Sequence, residues 1–196
     1  VFLILSTILN TYIQENHKRY LKQLSHNISN DINHHIPMYS SYLLNISEDQ
    51  YLKTYNETYE EANLAHFLLK NKDIFPYLSY IEKDGHEIYK LNNKVLYNNI
   101  STYKIKDFFT NILQTPNKVI VSNIQYDKEI KEHVIYFALH MRSYYENKFN
   151  GILLATIPIS HFIKTKIIDK NIIAHILTKN NYIAYSSNKK EIGTKE

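Results

Sequence analysis

Apolar side chains recur every three or four residues over the first quarter of the chain, and this spacing constrains the fold more than any other feature. Such spacing places them on one face of an α-helix, so the sequence predicts a long helix. Pro37 should kink or restart it, because proline lacks a backbone N–H and clashes with the preceding turn. The stripe fits two roles, a core face against a sheet or the seam of a dimer. Its members are Leu21, Leu24, Ile28, Ile32, His35 or Ile36, Tyr39, Leu43 and Ile46.

The start of the chain is also apolar. Residues 1–9 carry no charge, and Tyr12 follows shortly after them. A membrane-spanning helix needs about 20 apolar residues, so this run cannot cross a bilayer by itself, and we interpret residues 1–11 as the end of a truncated transmembrane helix. Tyr12 then lies at the membrane interface, where aromatic residues are enriched. A buried core helix and the remnant of a signal peptide are the alternatives.

The hydrophobic period changes after Pro76. Before it, residues 12–71 are predicted to form a helical stalk and packing helices, with a second helix at about 48–71. After it, short segments rich in Tyr and Ile flank Asp84-Gly85, a pair that favours a hairpin turn because glycine adopts positive φ freely. Further predicted elements are a short helix at 105–113, strands at 119–124, 133–142 and 151–157, a helix at 160–167, and a second hairpin of 172–178 with 182–186. In the strands predicted at 133–142 and 151–157 both faces are apolar, so both faces of the sheet should be covered.

Composition excludes several classes of function. The chain lacks Cys, which excludes disulfides, Cys-based metal sites and a thiol nucleophile. Its net charge is only +4, and its basic residues form no dense stripe that would bind nucleic acid. GxSxG, P-loop and HExxH motifs are absent, and no two histidines have the i, i+4 spacing of a helical zinc site. We therefore predict neither an enzyme nor a cofactor or metal site.

The order of several segments resembles the double Cache sensor domains, which have two PAS-like lobes. The resemblance implies an α/β (α+β) fold, with a long N-terminal helix followed by a mostly antiparallel PAS-like sheet, a membrane-distal lobe at 72–158 and a partial membrane-proximal lobe at 159–196. This chain departs from the family pattern at two positions. Lys90 stands where many members have Arg, and His140 stands where many have Pro. The segments that carry the resemblance are Tyr80–Leu91, Val121–Tyr126, Val134–Met141, Gly151–Ile157 and Leu177–Ser186.

The resemblance also points to candidate ligand-binding residues. Strict alternation along the strand places Lys90 on one face and Glu87 on the other. If Lys90 faces a cavity, it neutralises a ligand carboxylate, aided by a hydrogen bond from Tyr80, although lysine lacks the planar fork of arginine. An exposed hairpin lysine is the alternative. The other candidates are aromatic or imidazole side chains that can line a pocket and offer a polar contact, or simply pack: Tyr126, Tyr136 and His140.

The function implied is that of a non-enzymatic, extracytoplasmic small-molecule sensing domain in a membrane-bound bacterial receptor. Such receptors are histidine kinases, diguanylate cyclases or chemoreceptors. The resemblance implies an organic acid or amino acid as ligand, a homodimer along the long helix, and a periplasmic position at the inner membrane. A membrane-tethered binding or scaffold module without signalling output is the alternative.

Overall fold

The computed structural model describes residues 2–49, 52, 61–82, 84–102, 112, 115, 118–142, 149–167 and 172–195. In this part of the chain a long helix and a shorter one precede an antiparallel sheet, and a small hairpin follows. The helices are α1 (Phe2–Ser47) and α2 (Glu61–Lys70), and the strands are β1 (Tyr77–Glu82), β2 (His86–Asn92), β3 (Val95–Thr102), β4 (Val119–Val121), β5 (Gln125–Asp127), β6 (Glu132–Arg142), β7 (Phe149–Pro158), β8 (His175–Leu177) and β9 (Ile183–Ser186).

Helix α1 runs through Pro37 without interruption, so the predicted restart at this proline is wrong. Tyr39 and Leu43 follow Pro37 and are buried in the core against the sheet. Burial of two large side chains stabilises the continued helix, which outweighs the one backbone hydrogen bond that proline cannot make.

The apolar stripe of α1 is a core face. Its later residues pack against the sheet, while Leu24 and Ile28 pack against Ile172, which precedes the small hairpin. Side chains at residues 11–23 are open to solvent, with Tyr12 63% and Ile13 54% exposed. Across the residues described, no helix combines the length and apolar character needed to span a bilayer.

Seven of the described strands form one sheet in the order β3-β2-β1-β7-β6-β4, with β5 also paired to β6. The recorded pairings are all antiparallel, as predicted. The first hairpin turns at Gly85, whose φ of 87° suits glycine. One face of the sheet packs on α1 and α2, and the opposite face carries a second apolar cluster, so the prediction of two apolar faces is confirmed.

The strands between Val95 and Asp127 differ from the prediction. Strand β3 was not predicted, although Asn93 and Lys94 both adopt positive φ in the tight turn that leads into it. The strand predicted at 119–124 ends at Val121, because the Ser122 hydroxyl replaces the backbone as the acceptor for the Tyr136 N–H. The short pairing of β5 with β6 then begins at Gln125.

The helix predicted at 160–167 is wrong. A single 3-10 turn forms at Ile159–His161, and the following backbone is bound by a side chain of α1. One carboxylate oxygen of Asp31 accepts hydrogen bonds from the N–H groups of Lys164 and Thr165 at 3.0 and 2.7 Å, and from the Thr165 hydroxyl at 2.7 Å. A tertiary contact thus overrides the local helical pattern.

The second hairpin is confirmed in shorter form, as β8 and β9. Glu191 orders the chain after it, accepting hydrogen bonds from Ser186 and Asn188 and pairing with His175 at 2.8 Å. The helix predicted at 105–113 lies outside the described residues except for Ile112, which is helical and buried. Of the helix predicted at 48–71, residues 48 and 49 are not helical, Leu52 and Glu61–Lys70 are helical, and residues 50, 51 and 53–60 lie outside the described residues.

Candidate functional site

The face of the sheet opposite α1, called here the polar face, combines an apolar floor with charged side chains. Its buried floor comes from strands β1, β6 and β7 and from Ile112. Polar groups from β2, β5 and the turn after β5 lie around this floor. The floor residues are Ile81, Ile112, Val134, Tyr136, Ala138, Ile152 and Leu154.

A β-bulge in β2 sets which side chains reach the polar face. Tyr80 pairs with Tyr89, but the next residue of β1, Ile81, pairs with Glu87, so Ile88 is an additional residue in β2. A bulge shifts the alternation of side chains by one. Glu87 therefore lies on the same face as Lys90, and the prediction from strict alternation that they face apart is wrong.

Lys90 is the buried cation of the polar face. It pairs with Ser79 across the β1–β2 ladder, and its side chain is 5% exposed. Its ammonium group forms an ion pair and hydrogen bond with the carboxylate of Glu129, which is 50% exposed. Lys90 is therefore not the exposed hairpin lysine considered as the alternative, and a carboxylate already neutralises it.

Asp127 fixes the turn that carries Glu129. One carboxylate oxygen of Asp127 accepts hydrogen bonds from the N–H groups of Glu129 and Ile130, at 2.8 and 3.0 Å. The other accepts a hydrogen bond from the Tyr136 hydroxyl at 2.7 Å. Asp127 itself is buried. Both of its oxygens are thus satisfied, and they position residues 128–131 against the polar face.

Glu87 differs from Asp127 in being unsatisfied. It is 0% exposed, and neither carboxylate oxygen makes a geometrically complete hydrogen bond with a described residue. Burial raises the pKa of Glu87; the nearby Ser79 hydroxyl and the Lys90 charge oppose this rise, and the carboxylates of Glu129 and Asp127 add to it. The polar face therefore contains a buried carboxyl group whose charged form lacks adequate compensation.

Tyr136 and His140 lie on the polar face with Lys90, as the even-numbered residues of β6. His140 is buried, and its ring stacks on Phe149 with centroids 4.7 Å apart. Burial lowers the pKa of His140, and the charge of Arg142 lowers it further. A neutral imidazole on an apolar floor can donate or accept one hydrogen bond to a ligand.

Tyr80 and Tyr126 are placed elsewhere. Tyr80 is fully buried in the core beneath the helices, on the opposite face from Lys90, so the expected hydrogen bond between them and a shared ligand does not fit the register. Tyr126 is 53% exposed and contacts His133, with ring centroids 5.4 Å apart. Tyr126 lines a cleft of about 450 Å³ that faces the small hairpin, and Tyr182 lines the same cleft.

Sequence reasoning missed Ser79, Glu87, Asp127 and Glu129. Glu87 follows closely on the Asp84-Gly85 turn, but the bulge that reorients this residue has no glycine to mark it. Asp127 and Glu129 lie close in sequence to Tyr126, yet a carboxylate in a turn is indistinguishable from a solvated one without the tertiary fold.

Comparison with solved structures agrees with this architecture, although no protein-family model and no curated protein sequence matches the chain. The ligand-binding domain of the Campylobacter jejuni chemoreceptor Tlp3, in complex with 4-methylisoleucine, superposes with a TM-score of 0.62 at 17% identity, covering 87% of this chain and 72% of that one. A domain of a putative sensory box/GGDEF family protein from Vibrio parahaemolyticus gives 0.66 at 12% identity, covering 92% and 75%. The ligand-binding domain of the Pseudomonas fluorescens chemoreceptor CtaA, in complex with L-serine, gives 0.61 at 10% identity, covering 93% and 77%.

At these identities the likeness establishes the fold. The long helix, the antiparallel sheet and the small following hairpin occur in the order that the double Cache resemblance implied. The chain therefore has the same α+β fold as these ligand-binding and sensory domains.

Proposed function

We propose that the chain is the small-molecule sensing domain of a bacterial receptor and that its ligand binds on the polar face through Lys90. The observation that carries this proposal is a buried ammonium group neutralised by a half-exposed carboxylate from a turn. Charged groups are rarely buried unless they are paired, and charged groups in strongly perturbed environments cluster at functional sites. The sheet floor around them is apolar, as ligand pockets generally are.

Glu129 occupies the position of a ligand carboxylate on Lys90. Because the side chain of Glu129 is 50% exposed, it can return to water at small cost, whereas Lys90 is 5% exposed and requires a counter-charge. A small molecule with a carboxylate can therefore replace Glu129 on Lys90. An organic acid or an amino acid fits this requirement, and the similar structures are described with 4-methylisoleucine and L-serine, which both contain a carboxylate.

Replacement of Glu129 provides a route from binding to signalling. The turn at residues 128–131 joins β5 to β6, and β6 packs against α1. A ligand that displaces Glu129 favours a different position of this turn and, through β6, of α1. The ligand can shift this equilibrium only by its differential affinity for the two arrangements. The wider proposal is a homodimeric receptor anchored in the inner membrane, with this domain outside it and exposed apolar side chains of α1 such as Ile13 available to a partner helix.

A thermal-shift screen of small organic acids and amino acids tests the site. We expect a hit to stabilise the purified chain and the stabilisation to be lost in Lys90→Ala. Lys94→Ala is the matched control, because Lys94 lies in the neighbouring turn with a side chain 66% exposed. A hit that stabilises Lys90→Ala as well as the unmodified chain would reject Lys90 as the anchor.

A membrane-tethered binding module without signalling output remains the second candidate, since it needs the same site. The coding sequence that follows Glu196 distinguishes the two. A transmembrane segment followed by a kinase, cyclase or methyl-accepting region supports the receptor, and a stop codon immediately after would exclude it.

A further inference from the structure

The buried carboxyl group of Glu87 has no evident structural purpose. It is 0% exposed and neither oxygen has a hydrogen-bond partner among the described residues. Buried polar groups in native proteins are nearly always paired, and an unpaired one costs stability. An apolar residue at this position would avoid that cost, so the carboxyl group is best explained by a partner that arrives with the ligand.

The charges around Glu87 define what that partner must be. The groups that face it are the Ser79 hydroxyl on β1, Lys90 on its own strand, Asp127 at the end of β5, and Glu129 in the following turn. Lys90 already holds Glu129, and Asp127 is satisfied by two N–H groups and the Tyr136 hydroxyl. Three carboxyl groups therefore surround one ammonium group, and the unmet requirement at Glu87 is for a cation with N–H donors.

We propose that Glu87 receives the protonated amine of the ligand while Lys90 receives its carboxylate. This inference rests on the proposed function, because it concerns the same site. The residues that pair with Glu87 and Lys90, Ile81 and Ser79, are two positions apart on β1, which separates them by about 7 Å along the sheet. A short zwitterion whose ammonium and carboxylate groups are bonded to the same carbon fits between two such side chains. The ligand class is therefore an amino acid rather than an organic acid without an amine.

Proton release follows from this arrangement. In the free chain, burial raises the pKa of Glu87. Part of the population therefore stays protonated at pH values at which an exposed glutamate is ionised. An ammonium group beside Glu87 favours the ionised form. Binding of an amine therefore releases a proton, and affinity rises with pH through the pKa of Glu87 in the free chain and levels off above it.

Matched compounds test the amine requirement. L-valine is compared with 3-methylbutanoate, which lacks its amine, and with 2-methylpropylamine, which lacks its carboxylate. L-serine is compared with 3-hydroxypropanoate and 2-aminoethanol in the same way. We expect at least one amino acid to bind, its analogue without the amine to bind roughly tenfold or more weakly, and Glu87→Gln to remove that difference, because a hydrogen bond to a charged group is lost.

Glu15→Gln is the control variant, since Glu15 lies on α1 with a side chain 62% exposed. Urea unfolding establishes that Glu87→Gln folds. If Glu87→Gln does not fold, calorimetry of the unmodified chain in buffers of different ionisation enthalpy still measures the proton that is released when the amino acid binds.

Each outcome has a distinct meaning. Three results overturn this inference. They are an analogue without the amine that binds as tightly as its amino acid, an amino acid that binds Glu87→Gln as tightly as the unmodified chain, and an amino acid that binds the unmodified chain without releasing a proton. If such binding is still lost in Lys90→Ala, the proposed function survives. Failure of both compound sets to bind the unmodified chain rejects both the inference and the carboxylate site at Lys90.

Discussion

The two faces of the central sheet differ in how completely their side chains are satisfied. On the helix side, Phe137 is fully buried and its ring lies among those of Tyr39 and Phe162, with centroids 5.9 and 6.3 Å away. On the polar face, the preceding residue Tyr136 donates to a buried carboxylate. Consecutive residues of one strand thus serve different ends, because alternation gives the helix side a packed core and the polar face a set of charges held near an apolar floor.

Truncation of Phe137 should have the largest effect. Phe137→Ala removes a ring from the centre of the aromatic cluster and leaves a cavity, for which we expect a loss of about 3–5 kcal/mol in the free energy of unfolding. Phe137→Leu should cost less, since it leaves a smaller cavity. Urea denaturation measures both. A loss below about 1 kcal/mol for Phe137→Ala would contradict a close-packed helix side.

Addition of one methyl group at Gly151 should have the next largest effect. A Cβ atom there would lie 2.6 Å from the backbone oxygen of Ile81 and 2.7 Å from the Tyr80 hydroxyl, closer than atoms normally approach. Gly151→Ala should therefore cost about 1–3 kcal/mol, because a backbone oxygen cannot move aside as a side chain does. Thermal unfolding of Gly151→Ala measures the cost. An unchanged Tm would show that β1 and β7 are free to separate at this point.

The sequence predicts the helix side better than the polar face, for a physical reason. Burial of apolar residues leaves a periodic pattern, which revealed α1, β6 and β7. The polar face depends on the bulge at Ile88 and on the turn fixed by Asp127, and both are set by pairing between distant strands. The contact of Asp31 with Thr165 escaped prediction for the same cause, since the two residues lie far apart in sequence.

Loss of the Tyr136 hydroxyl tests whether the polar face contributes to stability as well as to binding. Tyr136→Phe removes the 2.7 Å hydrogen bond to Asp127 but leaves this carboxylate two backbone donors. We expect a loss of about 1–2 kcal/mol in the free energy of unfolding, at the lower end for a hydrogen bond to a charged group. Ligand affinity should rise, because Asp127 positions the turn whose Glu129 competes with the ligand for Lys90. An effect as large as that of Phe137→Ala would remove the distinction between the faces.

The smallest effect should be a pH dependence of stability that originates in Glu87. Because burial raises the pKa of Glu87 in the folded chain above its value of about 4.3 in an unfolded chain, the folded state binds this proton more tightly. The contribution of Glu87 to stability is therefore most favourable below the unfolded pKa, declines as pH rises through the folded pKa, and is constant above it. Glu87→Gln cannot titrate and should lack this decline, so its stability relative to the unmodified chain should increase between about pH 4 and neutrality. Urea unfolding of both chains across this range measures the difference, and a difference that is independent of pH would show that Glu87 is as well compensated as Asp127.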